Sequence, residues 1–217
     1  MNLVIIGPQG CGKGTQAKLL AEKFNLAHIE MGSSLREQAK EDTPLGKELD
    51  EIINKKKELA PDDVIVRVIS EQVSRAPAEK GIILDGAPRT ISQVEKVAVA
   101  FKDNDRKLDK VIFIKLSEAE SIERISMRVG CSNCGKNMKI GKDVKGVNDR
   151  CPDCGGELNQ RKDDTPEGVK KRLDIFNQET VPVVEYYRNQ GILLEINGEQ
   201  DVDGVFKDIA SDLEKYE

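Results

Sequence analysis

Five short apolar runs punctuate the chain, at residues 3–6, 27–30, 82–84, 111–116 and 192–196, and read as buried strands. Between them apolar residues recur at helical spacing, as with Ala17, Leu20, Ala21 and Phe24, then Val169, Leu173 and Phe176, then Phe206, Ile209 and Leu213. Strand alternating with helix predicts an α/β fold, a five-stranded parallel sheet covered by helices on both faces. Ligands of such sheets bind at the carboxyl ends of the strands, which puts Gly7, Glu30 and Asp85 along one edge.

Two stretches interrupt this rhythm. Residues 31–60 carry two amphipathic patterns, the second with Leu45, Leu49, Ile52 and Ile53, before Pro61 and Asp62 open another helix. This helical insertion is too small for a large core of its own and is expected to lean on the sheet through hinges. Residues 129–162 break the apolar periodicity altogether. The expected division is one unit with a core of 1–30, 61–128 and 163–217 and two insertions, 31–60 and 129–162. After the second insertion Thr165-Pro166 caps a helix, and Pro182 is expected to kink it or end its first part.

Composition narrows the classes. The chain has 217 residues, a formal charge of -5 and 34% charged residues, with 4% aromatics and no Trp. An acidic balance argues against a general nucleic-acid binder. No apolar run approaches the roughly 20 residues of a membrane span, and Met1 leads straight into the first strand, so a cytoplasmic protein without membrane partners is expected.

The strongest local signal is Gly7-Pro8-Gln9-Gly10-Cys11-Gly12-Lys13-Gly14-Thr15, set between the first strand and the first helix. Residues without Cβ atoms let several backbone N–H groups converge on one anion, the helix start adds its positive dipole end, and Lys13 adds a full charge for the β and γ phosphates. This is the phosphate loop (P-loop) of nucleoside-triphosphate-binding folds. Gly14 stands where a metal-binding hydroxyl is usual, and Thr15 follows. Cys11 is a small residue within the loop.

A second cluster, Leu84-Asp85-Gly86-Ala87-Pro88-Arg89-Thr90 with Gln93 after it, ends the third strand. Asp85 can hold Mg²⁺ through water, Gly86 permits close backbone approach and Arg89 can grip a phosphate with two N–H groups. Arg124 and Arg128 are expected to share a helix face, Arg161 falls at the end of the second insertion and Arg172 lies in the helix after it. Cys131-x-x-Cys134 and Cys151-x-x-Cys154, each followed by glycine, form a four-thiolate pattern for one structural Zn²⁺. His28, the only histidine, is expected to pack in its strand.

Taken in order, these motifs resemble the adenylate kinase family of nucleoside monophosphate kinases over essentially the whole chain, including the zinc-bearing lid of many bacterial and archaeal members. The resemblance implies reversible transfer of the terminal phosphate of Mg-ATP to AMP, giving two ADP, with no covalent enzyme intermediate. It implies that Gly10, Cys11, Gly12, Lys13, Gly14 and Thr15 hold ATP with Arg124 and Arg128, and that the Gln200 backbone carbonyl meets the donor adenine. On the acceptor side it implies Met31, Gly32, Arg36, the backbone wall Lys57, Glu58 and Leu59, then Gly86 and Ala87, with Arg89 on the AMP phosphate and Gln93 on adenine. Arg161 and Arg172 would clamp both nucleotides, and Asp85 would hold the magnesium water.

The family usually has Thr-Gly-Asp where this chain has Met31-Gly32-Ser33, Phe in place of Ala87, and an aromatic residue near Asn137-Met138. A thioether for a hydroxyl at Met31 predicts looser acceptor choice, which leaves a kinase using UMP, CMP or several acceptors as an alternative. A zinc-ribbon nucleic-acid-binding switch is the reading from another class, with the acidic charge against it.

Overall fold

The computed structural model describes residues 1–56, 60–161 and 164–216. Along the chain β1 (Asn2–Ile6) leads to α1 (Lys13–Lys23), β2 (Leu26–Glu30), α2 (Met31–Gln38), α3 (Pro44–Leu49) and α4 (Asp62–Arg75). There follow β3 (Gly81–Asp85), α5 (Ile91–Lys102), β4 (Lys110–Lys115), α6 (Glu118–Ser126) and the short strands β5 (Arg128–Cys131), β6 (Asn137–Lys139) and β7 (Leu158–Asn159). The chain ends with α7 (Pro166–Ile175), α8 (Val181–Asn189), β8 (Leu193–Asn197) and α9 (Val202–Leu213).

The main sheet has five parallel strands in the order β2-β3-β1-β4-β8. Its strands are apolar on both sides because both sides are covered. Val4 and Ile6 join Ile82, Leu84 and Val111 in a core with Val68, Phe101 and Val184, under α4, α5 and α8. Leu3 and Ile5 face the other way with Ile83, Ile112 and Ile114, meeting Leu20 of α1 and Ile209 and Leu213 of α9. β1 sits at the centre, between β3 and β4, so the loop after it opens at the point where the chain order reverses and a crevice forms.

Helix starts follow their caps. Thr43 and Thr165 each precede a proline and accept from the N–H three residues on, at 2.9 and 3.1 Å. Pro182 falls in the first turn of α8, and the five residues before it, Phe176–Thr180, widen into a π-helical turn. The proline has no N–H to donate back along the helix, which accounts for the break in regular bonding expected there.

The second insertion differs from the sequence expectation. It holds a three-stranded antiparallel sheet, ordered β6-β5-β7, with a small core of its own from Val129, Cys131, Met138, Cys151 and Leu158. Strands of two to four residues, flanked by polar turns, leave too short a run for periodicity to register.

Candidate active site

The phosphate loop is shaped by close contacts. Gly10 and Gly12 take positive φ, 81° and 84°, and α1 starts at Gly12 with no side-chain cap. The first turn thus keeps N–H groups for a ligand. A Cβ at Gly7 would lie 2.5 Å from Cys11 Sγ and 2.8 Å from the Ile114 carbonyl, so only glycine fits. Cys11 is buried, and that burial pushes its thiol up from the ordinary value, with Lys13 opposing. The loop rests on α6, where the buried Ser121 hydroxyl donates to the Gln9 carbonyl at 2.5 Å.

Asp85 ends β3, paired across from Ile5 and Glu30, and is buried. A Cβ at Gly14 would stand 3.3 Å from Asp85 Oδ2. A side chain after Lys13 would press on this carboxylate, so the acid and the phosphate loop share one site. His28 Nε2 lies 3.8 Å from the same oxygen and has no hydrogen-bond partner among the described residues.

Behind Asp85 the backbone turns through Gly86 at φ 92° and a cis Ala87-Pro88 bond. Arg89 Nε donates to the Gly86 carbonyl at 2.8 Å. Its guanidinium is open to water yet hemmed in by protein, which lowers its pKa while Asp85 opposes the shift; it stays charged at any working pH. The Arg89 N–H donates to Gln93 Oε1 at 2.8 Å, and Gln93 Nε2 donates to Asp62 Oδ1 at 2.6 Å. Arg36, exposed on α2, fills the space that a Gly32 side chain would take, with Nη1 3.4 Å from that position. Met31 and Ala87 are buried in the main core. Lys57, Glu58 and Leu59 lie outside the described residues.

The remaining arginines come together through α6, β5 and α7; α6 ends at Ser126 and Arg128 opens β5, so the shared helix face expected for Arg124 and Arg128 does not form. Arg124 lies over the phosphate loop, its Nε donating to Glu120 at 2.6 Å and its Nη1 to the Gly10 carbonyl at 3.4 Å. Arg128 and Arg172 converge on one carboxylate, Asp164, whose side chain is 1% exposed. Arg161 is exposed, with its carbonyl accepting from the Asp164 N–H. Gln200 spends its side chain locally, donating to the Asn197 carbonyl and to Asp208. Met138, near the expected donor base, packs in the core of the small sheet.

The four cysteines form a cluster whose sulfur atoms all lie within 4.8 Å of one another. Cys131 and Cys154 sulfurs are 3.4 Å apart and those of Cys134 and Cys151 3.7 Å. Four thiolates at about 2.3 Å from a tetrahedral ion would stand roughly 3.8 Å apart, so the set is positioned to hold a metal. Two matching turns build it, with Gly135 and Gly155 at φ 70° donating back to the Cys131 and Cys151 carbonyls. The Gly156 N–H and then the Cys131 and Cys134 thiols bring the Cys154 thiol down to about 6. Cys134, despite the Lys136 N–H, is pushed up to about 12 by its sulfur neighbours.

A family model described as adenylate kinase matches residues 5–192. Adenylate kinases of Archaeoglobus fulgidus and Methanocella arvoryzae are 41% and 40% identical to the chain over 215 residues, 99% of each sequence. One from Clostridium botulinum is 38% identical over 211 residues, 97% of each. The chain belongs to the adenylate kinase family. It is an enzyme of that family, a kinase whose relatives pass phosphate between adenine nucleotides. No helix among the described residues is long and apolar enough to cross a membrane.

Two aspartates draw distant site residues together in this adenylate kinase fold: Asp62, read from the sequence only as a helix start, and Asp164, read there as one of a pair resembling a family feature near the lid. Asp164 ties Arg128 to Arg172 across 36 and 8 residues of sequence. Asp62 receives Thr90 Oγ1 at 2.8 Å, the Ser92 hydroxyl and Gln93 Nε2. Neither aspartate lies in a local motif. Their signal is spatial, a carboxylate facing several donors from distant elements.

Proposed function

We propose that the protein catalyses reversible transfer of the γ-phosphate of Mg-ATP to AMP, giving two ADP. What carries this reading is the juxtaposition at one sheet edge of a phosphate loop, a buried carboxylate 3.3 Å from where a Gly14 Cβ would be, and a second turn that presents Arg89. One anion cradle makes a nucleotide-binding protein; two beside one acid make a phosphotransferase between nucleotides.

In this mechanism the backbone of residues 10–15 and Lys13 bind the donor phosphates, while Arg89 and Arg36 hold the acceptor phosphate. Asp85 would hold the Mg²⁺ that accompanies the nucleotide, and the ion would neutralise charge on the transferring phosphate. Arg124, Arg128, Arg161 and Arg172 gather around the oxygens that crowd together as transfer proceeds, stabilising charge that develops only in the transition state. No general base is needed, since the acceptor phosphate is largely ionised at neutral pH, its second pKa being about 6. Residues 31–60 close over the acceptor and residues 129–162 over the donor, which excludes water that would otherwise take the phosphate. Cys131, Cys134, Cys151 and Cys154 would hold one structural Zn²⁺, which would organise that second segment rather than take part in the chemistry.

The test is a phosphotransfer assay with ATP against AMP, GMP, CMP and UMP, for the wild type and for Lys13→Ala and Arg89→Ala. AMP should be the best acceptor, and each variant should lose at least a hundredfold in turnover with its thermal midpoint nearly unchanged. Equal use of the four acceptors, or near-normal turnover in both variants, would refute the assignment.

A further inference from the structure

Gln93 is buried, and both ends of its amide are already engaged. An amide has two N–H donors and two acceptor lone pairs, so one of each remains for a ligand. The two engaged partners are of opposite kind. Arg89 offers a backbone N–H, which can only donate, at 2.8 Å; Asp62 offers a carboxylate, which can only accept, at 2.6 Å. An amide turned end for end would set N–H against N–H and carbonyl against carboxylate. The other oxygen of Asp62 accepts from the Thr90 and Ser92 hydroxyls, leaving Oδ1 to Gln93. Burial alone would raise its pKa, but the hydrogen bonds from Ser92, Gln93 and Thr90 outweigh that and keep it below the ordinary value.

We propose that Asp62 is a specificity-determining positioning residue, locking the Gln93 amide so that it accepts a 6-aminopurine acceptor and rejects a 6-oxopurine. The inference rests on the reading above in which Gln93 meets the acceptor base. Adenine presents an amino donor beside a ring-nitrogen acceptor, and hypoxanthine presents the reverse, a carbonyl beside a ring N–H. A free glutamine could satisfy either by turning over. A locked one satisfies a single pattern and leaves the other with two facing donors and two facing acceptors, the kind of mismatch that discriminates strongly.

The experiment compares kcat/KM for AMP and IMP, with ATP as donor, in four variants beside the wild type. Asp62→Ala removes every acceptor, and Asp62→Asn supplies an amide that can donate to a turned Gln93. In at least one of them the AMP to IMP ratio should fall about tenfold, mainly through a rise for IMP. Any effect of the lost charge on Arg89 acts on both phosphates alike and cancels in the ratio. Ser92→Ala leaves both locking bonds and should keep the wild-type ratio. Gln93→Leu should bring the ratio close to one; if it does not, the placement of Gln93 on the base is what has failed. If Gln93→Leu collapses the ratio while both Asp62 variants stay within twofold of wild type, or Ser92→Ala lowers it as far as they do, the lock is overturned.

Discussion

Removing the Asp164 carboxylate should destabilise the protein and slow it together. Asp164 accepts from Arg128 Nε at 3.1 Å and from Arg128 Nη2 at 2.8 Å to each oxygen, and from Arg172 Nη2 at 3.0 Å. Its side chain is 1% exposed, whereas those of Arg128 and Arg172 are 23% and 20% exposed. Deleting one partner of a buried ion pair costs about 3–5 kcal/mol. Because both arginines keep a water-facing edge and can partly rehydrate, we take the lower end, about 3 kcal/mol for Asp164→Ala. With an unfolding entropy of about 2.1 cal/mol/K per residue, this length of chain loses about 7 °C in thermal midpoint. Turnover should fall about a hundredfold, because two guanidinium groups that must meet a transferring phosphate lose their common anchor. Calorimetry and steady-state turnover at saturating ATP and AMP check the two numbers. A midpoint within 2 °C of wild type would refute the energetic argument. A gain in turnover would show that Asp164 competes with phosphate for the arginines, and the anchoring argument would then be wrong.

Removing the metal should loosen one segment and spare the rest. The protein should carry one zinc per chain, and chelation should abolish hydrogen-exchange protection across residues 128–161 while the five-stranded sheet keeps its own, since the small sheet buries only five core residues, two of them cysteines. Metal analysis without zinc, or uniform loss of protection, would contradict this. Gly14→Ala should leave stability within about 1 kcal/mol and lower turnover at least tenfold, because the new methyl group would press on Asp85 Oδ2 from 3.3 Å. The Mg²⁺ requirement should rise in the same variant, and an unchanged magnesium titration would separate Asp85 from the ion.

The parts of this molecule that could be read ahead are those whose physics is local. Strands β1, β3 and β4 are buried on both faces and write that as unbroken apolar runs, so their positions came within a residue or so. The phosphate loop and the paired cysteines are likewise decided by a few adjacent residues. The small sheet escaped notice because strands such as Asn137–Lys139 are too short to show a period and depend on the cysteine turns for their pairing. Met31, which the sequence leaves between acceptor contact and packing, opens α2 with its side chain buried in the main core. Asp62 shows the limit most plainly, since it acquires its meaning from Thr90, Ser92 and Gln93, about thirty residues away.

The central position of β1 bears on how the chain is made as well as on how it works. Leu3, Val4 and Ile5 leave the ribosome long before both neighbours that cover their edges, β3 at residues 81–85 and β4 at 110–115. At about 5–20 residues per second, roughly eighty residues of synthesis separate β1 from its first partner, or on the order of ten seconds. Through that interval the most apolar strand of the nascent chain has neither hydrogen-bonded edge satisfied, and parallel pairing across such a span is slow to form. The strand that carries the nucleotide loop is therefore the one most exposed to wrong partners during translation, and chaperone occupancy on nascent chains should peak before residue 85 has emerged.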